Sequence, residues 1–321
     1  MRHEMAGLGI GAMTRRGWVL FIALGIIWGL PYLLIKVAVR EVSPAFLVLL
    51  RTGGGALVLL PIAALRGYVR PVLKYWRPLA LYTAVEMGGP WILLFHAEER
   101  LPSSLSGLLI AAVPLAGAVL AWITGSDRLD RRRVLGLAVG FSGVALLVGF
   151  DVGHSDLWAA ASMGGVVVGY ALGPWIVARH LADAPPLGLV AGSLVLCALA
   201  YVPIAIFRLP HHALGAPEIE SVVGLTLVCT VLAFLIFFAL IGEVGAYRTT
   251  IITYVNPAVA VLLGVSVLGE PFGLATAAGF VLIVIGCFFA TGRASRNRQP
   301  SQDAESTALD SSGLPIVNTD P

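Results

Sequence analysis

Glu86 stands inside an otherwise apolar stretch and is followed by Met87, Gly88, Gly89, Pro90 and Trp91. A carboxyl group at that depth can bind a cationic solute group, carry a proton or pair with a cation. Gly-Gly-Pro beside it predicts a break in the helix, with Trp91 on the wall of a cavity, because broken backbone in a bilayer is tolerated where it is buried or lines a cavity. Arg51 is a second ionisable residue in an apolar run. It is a candidate for an anion contact, for a tie to backbone carbonyls or for a charge pair with Glu86. Trp28 and Tyr32 flank Pro31, and Tyr170 and Trp175 flank Pro174. A proline frees a backbone carbonyl and bends a helix, so these four aromatics are candidates either for a substrate cavity or for plain packing. Asn256, between Tyr254 and Pro257, is a candidate substrate contact or a cap for a distorted turn.

Other chemistries find no support in the residues. HExxH, GxSxG and a P-loop are absent, so neither an enzyme nor an ATP-driven pump is expected. His211 and His212 follow Pro210 without further ligands, and no metal or cofactor is expected. Cys197, Cys229 and Cys287 all lie in apolar runs and imply no disulfide framework. His96, Glu98 and Glu99 fall at the end of the third apolar run and are expected to be solvated.

The elements that must position these residues follow from composition. Of 321 residues, 58% are hydrophobic and only 12% charged, about half the charge of a soluble domain. Charge-free runs at 17–35, 101–126, 157–178, 184–207, 221–242, 249–269 and 271–292 are long enough to span a bilayer. They are too long for barrel strands. The expected architecture is an all-α membrane protein with ten spans, at 17–39, 44–65, 78–97, 103–125, 133–150, 157–179, 186–207, 218–241, 246–268 and 272–292. Residues 1–16 are a cytoplasmic lead, and the Ser-, Asp- and Pro-rich segment 293–321 is expected to be a disordered cytoplasmic tail. No cleavable signal is expected, and the first apolar run is read as a retained helix. Glu86 then lies about 12 Å from one end of its helix.

Sixteen Lys and Arg residues fall on the side of the N-terminus, and three (Arg40, Arg100 and Arg208) fall opposite. Both termini are therefore expected in the cytoplasm. The basic residues orient helices and do not indicate nucleic acid. A shift of 143 residues superposes Pro31 on Pro174, Lys36 on Arg179, Pro114 on Pro257 and Asp127 on Glu270. It also superposes Gly136 on Gly279 and Gly143 on Gly286. Each half, 17–150 and 157–292, then holds five helices. Five is odd, so the second half enters from the opposite side, the inverted repeat of secondary transporters, with the solute site near the midplane. Small-xxx-small spacing at Gly25–Gly29, Gly136–Gly140, Gly165–Gly169 and Gly169–Gly173 predicts close helix packing within the bundle. A homodimer seam along the fifth helix is an alternative use of that spacing.

Trp28-Gly29 before Pro31, Arg51, Pro114, and the run Asn256-Pro257, Leu268-Gly269-Glu270, Gly279 and Gly286 resemble the drug/metabolite transporter superfamily, specifically proteins with two EamA domains. The resemblance covers about 17–292. Gly125-Ser126-Asp127 replaces the Gly-Glu usual in the first half, and Ala171-Leu172 stands where Trp-Gly would recur. The resemblance implies a secondary transporter in the plasma (inner) membrane that exports small organic solutes by alternating access, with proton coupling open. Its partners are the lipid bilayer and a small-molecule substrate. A passive channel or lipid scramblase on the same bundle is the alternative.

Overall fold

The computed structural model describes residues 14–127, 130–149, 156–210, 212–244, 252–253 and 255–291. The 1–13 lead and the 293–321 tail lie outside the described residues, as do His211, Arg248 and Tyr254. The described residues contain helices and no strand. The helices are α1 Arg15–Ala38, α2 Pro44–Leu65, α3 Trp76–Arg100, α4 Ser103–Ile123 and α5 Arg131–Leu147, with a short helix Val69–Leu73 before α3. Then follow α6 Leu157–His180, α7 Pro186–Arg208, α8 Ala216–Val244, α9 Val255–Leu268 and α10 Leu274–Thr291. Eight are long and apolar enough to cross a membrane; α9 is a shorter apolar helix and α5 has 17 residues.

Local chemistry sets the ends. Thr14 accepts the Gly17 N–H at 3.0 Å to start α1, and Asp130 accepts the Arg133 N–H at 2.8 Å to start α5. Prolines stand in the first turns of α2, α7 and α8, where the missing N–H costs nothing. Past α4 and α9 the chain turns through Gly125 and Gly269, at φ 68° and 67°, conformations that glycine alone adopts without strain. In both places a later amide folds back on the helix: Asp127 N–H donates to Ala121 at 3.1 Å, and Glu270 N–H donates to Gly264 at 3.0 Å.

The predicted break at Gly88-Gly89-Pro90 is instead a widened, π-helical stretch, Thr83–Gly88, inside a continuous α3. The proline ring excludes an α-helical carbonyl four residues earlier, at Glu86, and the wider turn makes room for it. A second π stretch, Gly224–Leu232, lies one 143-residue shift later in α8. α1 and α6 run on through Pro31 and Pro174, whereas α4 is interrupted at Ala111–Ala112, just before Pro114.

α5 pairs with α10, α2 with α7 and α4 with α9. α3 packs on α6 and α1 on α8, while α1 meets α9 and α6 meets α4. The α5–α10 contact is backbone to backbone: a Cβ on Gly286 would overlap Gly140, and one on Gly143 would overlap Gly279 and Leu282. The glycine face of α5 is thus occupied within the chain. Outward positions are apolar, with Leu57 79%, Phe207 86% and Leu274 92% exposed. Trp18 and Trp158 are exposed near helix starts, as an interfacial belt requires. This is an integral membrane protein whose outer surface is solvated by acyl chains.

Candidate functional site

Arg51, only 7% exposed, projects from α2 into the bundle. Its Nε donates to Thr230 Oγ1 at 2.9 Å, in the π stretch of α8. Thr230 in turn donates to the Leu225 carbonyl at 2.8 Å, a carbonyl five residues back that the wide turn leaves available. The guanidinium lies 3.8 Å from the centroid of the Trp91 ring, within cation–π range. Tyr32 of α1, buried, and Tyr170 of α6, half-buried, are electrostatic neighbours of the same guanidinium. The Trp91 indole faces the Tyr170 hydroxyl. Of the residues singled out in the sequence, Arg51, Trp91 and Tyr170 therefore come together, with Tyr32 within electrostatic range.

Glu86 adjoins this group through Tyr170 and Tyr82. Its Oε2 is buried and has no hydrogen-bond partner. The carboxyl fits against the bare Cα of Gly173 on α6, where any side chain would overlap it. Among the described residues no ion pair joins Glu86 to Arg51, whose contacts are Thr230 and Trp91. The wide turn that carries Glu86 is braced by α7, where Tyr201 donates its hydroxyl to the Gly88 carbonyl at 2.9 Å.

The other three sequence candidates lie elsewhere. Trp28 packs on Phe234 and Phe237, with ring centroids 6.3 and 5.1 Å away, in a separate apolar cluster around Leu24 and Leu240. Trp175 is half-buried beside Arg179 and His180, its ring 5.3 Å from the guanidinium carbon and 6.2 Å from the imidazole. The Asn256 amide donates to the carbonyls of Ile252 at 3.1 Å and Gly25 at 3.2 Å in the orientation that satisfies both. It ties α9 to α1. A crevice of about 410 Å³ between α4, α5 and α6 is lined by apolar side chains such as Leu109, Phe141, Val144 and Met163, and no sequence candidate reaches it.

The sequence reading missed Glu98. Far from being solvated, it is 0% exposed, and neither carboxyl oxygen has a hydrogen bond. The 143-residue shift places apolar Ile241 opposite it, whereas Glu99, exposed, falls opposite Gly242. That contrast was the available signal for an inward position. Lys36 of α1 lies beside Glu98 but donates to the backbone carbonyls of Glu98 at 2.7 Å and Leu101 at 2.8 Å. It caps the end of α3, where such carbonyls lack helical partners. Nearby, Glu270 accepts the N–H groups of Ser103 at 2.6 Å and Ser104 at 2.8 Å, the first turn of α4. Partial burial pushes the Glu270 carboxyl up, but these bonds outweigh it and hold the group below the usual carboxylate range. At this end Lys36 and Glu270 thus join α1, the α3–α4 turn and the α9–α10 connection, with the unbonded Glu98 carboxyl enclosed beside them.

The EamA-like transporter family matches residues 15–149 and again 157–292, nearly all of the helical region. The chain belongs to that family. It is 26% identical over 275 residues to the uncharacterized transporter YvbV of Bacillus subtilis, covering 83% of this chain and 88% of the relative. It is 25% identical over 293 residues to a protein of Salmonella typhimurium described as a probable amino-acid metabolite efflux pump, covering 86% and 95%. The uncharacterized inner membrane transporter YedA of Escherichia coli is 26% identical over 253 residues, covering 77% and 81%. A solved crystal structure aligns with a TM-score of 0.62 at 22% identity over 86% of this chain and 96% of its own, which fixes the fold. As an EamA-family membrane protein with transporter relatives, the chain is a transporter rather than an enzyme at the level of the family.

Proposed function

We propose that this protein is a secondary transporter that exports small organic solutes by alternating access between two inverted five-helix halves, with both termini cytoplasmic. Exchange of halves maps α1 onto α6 and so on in order. The neighbour pattern supports this: the pairs α3–α6 and α8–α1 are exchanged, as are α1–α9 and α6–α4, while α2–α7, α4–α9 and α5–α10 each map onto themselves. The π stretches in α3 and α8 and the two turns at Gly125 and Gly269 fall at corresponding places. On this reading α5 and α9 complete ten crossings. Residues 17–150 and 157–292 are the two moving units.

The observation that carries the functional reading is Glu86, a carboxyl whose Oε2 is buried and unbonded, held in a widened turn against Gly173. The equivalent position in the second half is Cys229, so the fold's symmetry does not require an acid there. A neutral carboxyl fits the closed packing, while an ionised one needs a cationic solute group or water. Glu86 is therefore the residue that exchanges a proton for solute, with Tyr32, Trp91 and Tyr170 as the apolar and hydroxyl-bearing wall and Arg51 holding that wall in place. Trp28, Trp175 and Asn256 act through helix packing.

The test is solute flux in proteoliposomes, screening metabolites that accumulate in cells lacking the protein. A carrier saturates and shows counterflow. Flux that neither saturates nor exchanges marks a channel, and phospholipid flip marks a scramblase. Glu86→Gln should fold and lose transport or its pH dependence. A folded Gln variant with wild-type flux at every pH refutes the role of Glu86.

A further inference from the structure

Glu98 lies beyond the Arg51 site and borders it only through Tyr32 and Tyr170, and it is the most completely buried acid among the described residues. An ionised carboxylate needs hydrogen bonds or a paired cation to compensate for lost hydration. Neither oxygen of Glu98 has a hydrogen bond. Lys36, a cation that acts on Glu98, has directed its ammonium to two backbone carbonyls. Glu270, an anion that acts on it, opposes a second negative charge. From α1 and α6 the tyrosines Tyr32 and Tyr170 face the same region. From α4 the Ser106 hydroxyl is buried and unbonded, and the Ser103 hydroxyl is buried beside Glu270. His96, Glu99 and Arg100 on α3 itself point outward. The packed arrangement suits a neutral carboxyl.

We propose that Glu98 is a second proton-binding site of this transporter, which keeps its end of the bundle closed while protonated and releases it when the proton leaves. The proposal rests on the transporter reading above. The carboxyl O–H bond breaks, the proton passes to water at that end, and the carboxylate remains. Entering water then stabilises that charge and hydrates the Lys36 ammonium and the carbonyls of Glu98 and Leu101, so Lys36 leaves those carbonyls and α1 separates from the α3–α4 turn. The latch formed by Glu270 ties the same α3–α4 turn to the α9–α10 connection through Ser103 and Ser104, so movement of that turn loosens it too. The linkage sign is fixed: the closed state binds one more proton than the open state, so raising the pH favours opening.

The experiment needs no solute. Cys197, Cys229 and Cys287 are replaced, and Ser106→Cys is introduced as a reporter, since Ser106 is fully buried one turn into α4. His212→Cys, on an exposed connection, serves in a separate sample as the reference for the thiol's own pH dependence. In nanodiscs, where the reagent reaches both faces, maleimide labelling at 106 relative to 212 is followed from mildly acidic to mildly alkaline pH. The ratio should rise with pH by up to tenfold per unit for a one-proton linkage. Glu98→Gln should hold it low and flat, and Glu98→Asp should keep a slope. A flat ratio in the protein with Glu98 intact overturns the proposal, as does a Gln variant that follows the same rise. If the Gln variant does not fold, the intact-Glu98 profile together with Glu98→Asp decides. Glu86→Gln should leave the slope in place. Counterflow fails alone if the transporter reading is wrong, and the labelling slope fails alone if the latch is wrong.

Discussion

Replacing Glu270 by alanine removes two hydrogen bonds at once, those from the Ser103 and Ser104 amides at 2.6 and 2.8 Å. A bond to a charged acceptor contributes about 1.5–3 kcal/mol net. Glu270 is half-buried, so solvent screening takes each toward the lower limit. The freed amides open α4 and regain water, which recovers part of the loss. Glu270→Ala should therefore cost about 2–3 kcal/mol. Glu270→Gln keeps one carbonyl oxygen as acceptor and should cost roughly half as much. At about 2 °C per kcal/mol for a chain of this size, the alanine variant should melt about 4–6 °C below the parent in a thermal unfolding series. The pH dependence adds a second arm. Burial pushes the folded-state carboxyl up, but bonds from the side chains and amides of Ser104 and Ser103 bring it below its ordinary value, so its contribution is complete above the ordinary carboxylate value of about 4.3. It is lost as pH falls through the folded value. The gap between the parent and Glu270→Gln should thus be constant at neutral pH and close under acid. An alanine variant that melts with the parent, or a gap that widens on acidification, refutes the capping argument.

Gly286→Ala puts a methyl into the backbone of Gly140, which no rotamer change can relieve; a loss of about 1–3 kcal/mol is expected in urea-dependent unfolding. Tyr201→Phe deletes only the bond to the Gly88 carbonyl and should cost about 1 kcal/mol, with a larger fractional effect on flux because the turn it braces carries Glu86. Arg51→Lys keeps the charge but loses the planar contact with Trp91. It should destabilise by about 1–2 kcal/mol, and near-parental stability in the same series counts against the structural role given to Arg51.

Much of the frame is legible in the residues themselves. The long apolar helices were readable because a run without charge has one stable solution in lipid. Helix ends were readable where a local signal exists, as with Gly125 and Gly269 or the prolines opening α2 and α7. Arg51 and Glu86 were visible as interior charges because such residues are costly in a membrane. Which partner each chose was not visible. They sit on different helices, and their approach depends on the rotation and crossing of α2 and α3. Arg51 turned to Thr230 and Trp91, and Glu86 turned to Gly173.

The sequence by itself determined the class of protein, the membrane helices, the landmark repeat at 143 residues and the family they point to, since hydropathy and spacing are local quantities. Only the tertiary structure decided that Gly-Gly-Pro widens α3 without breaking it, and that Asn256 bonds to helix backbone. It also decided that Glu98 is buried while the adjacent Glu99 is not. The physical reason is common to all three. A helix that is apolar on every side has no wet face to declare its rotation. The direction in which a polar residue points is then set by the neighbour that packs against it, and that neighbour comes from a distant part of the chain.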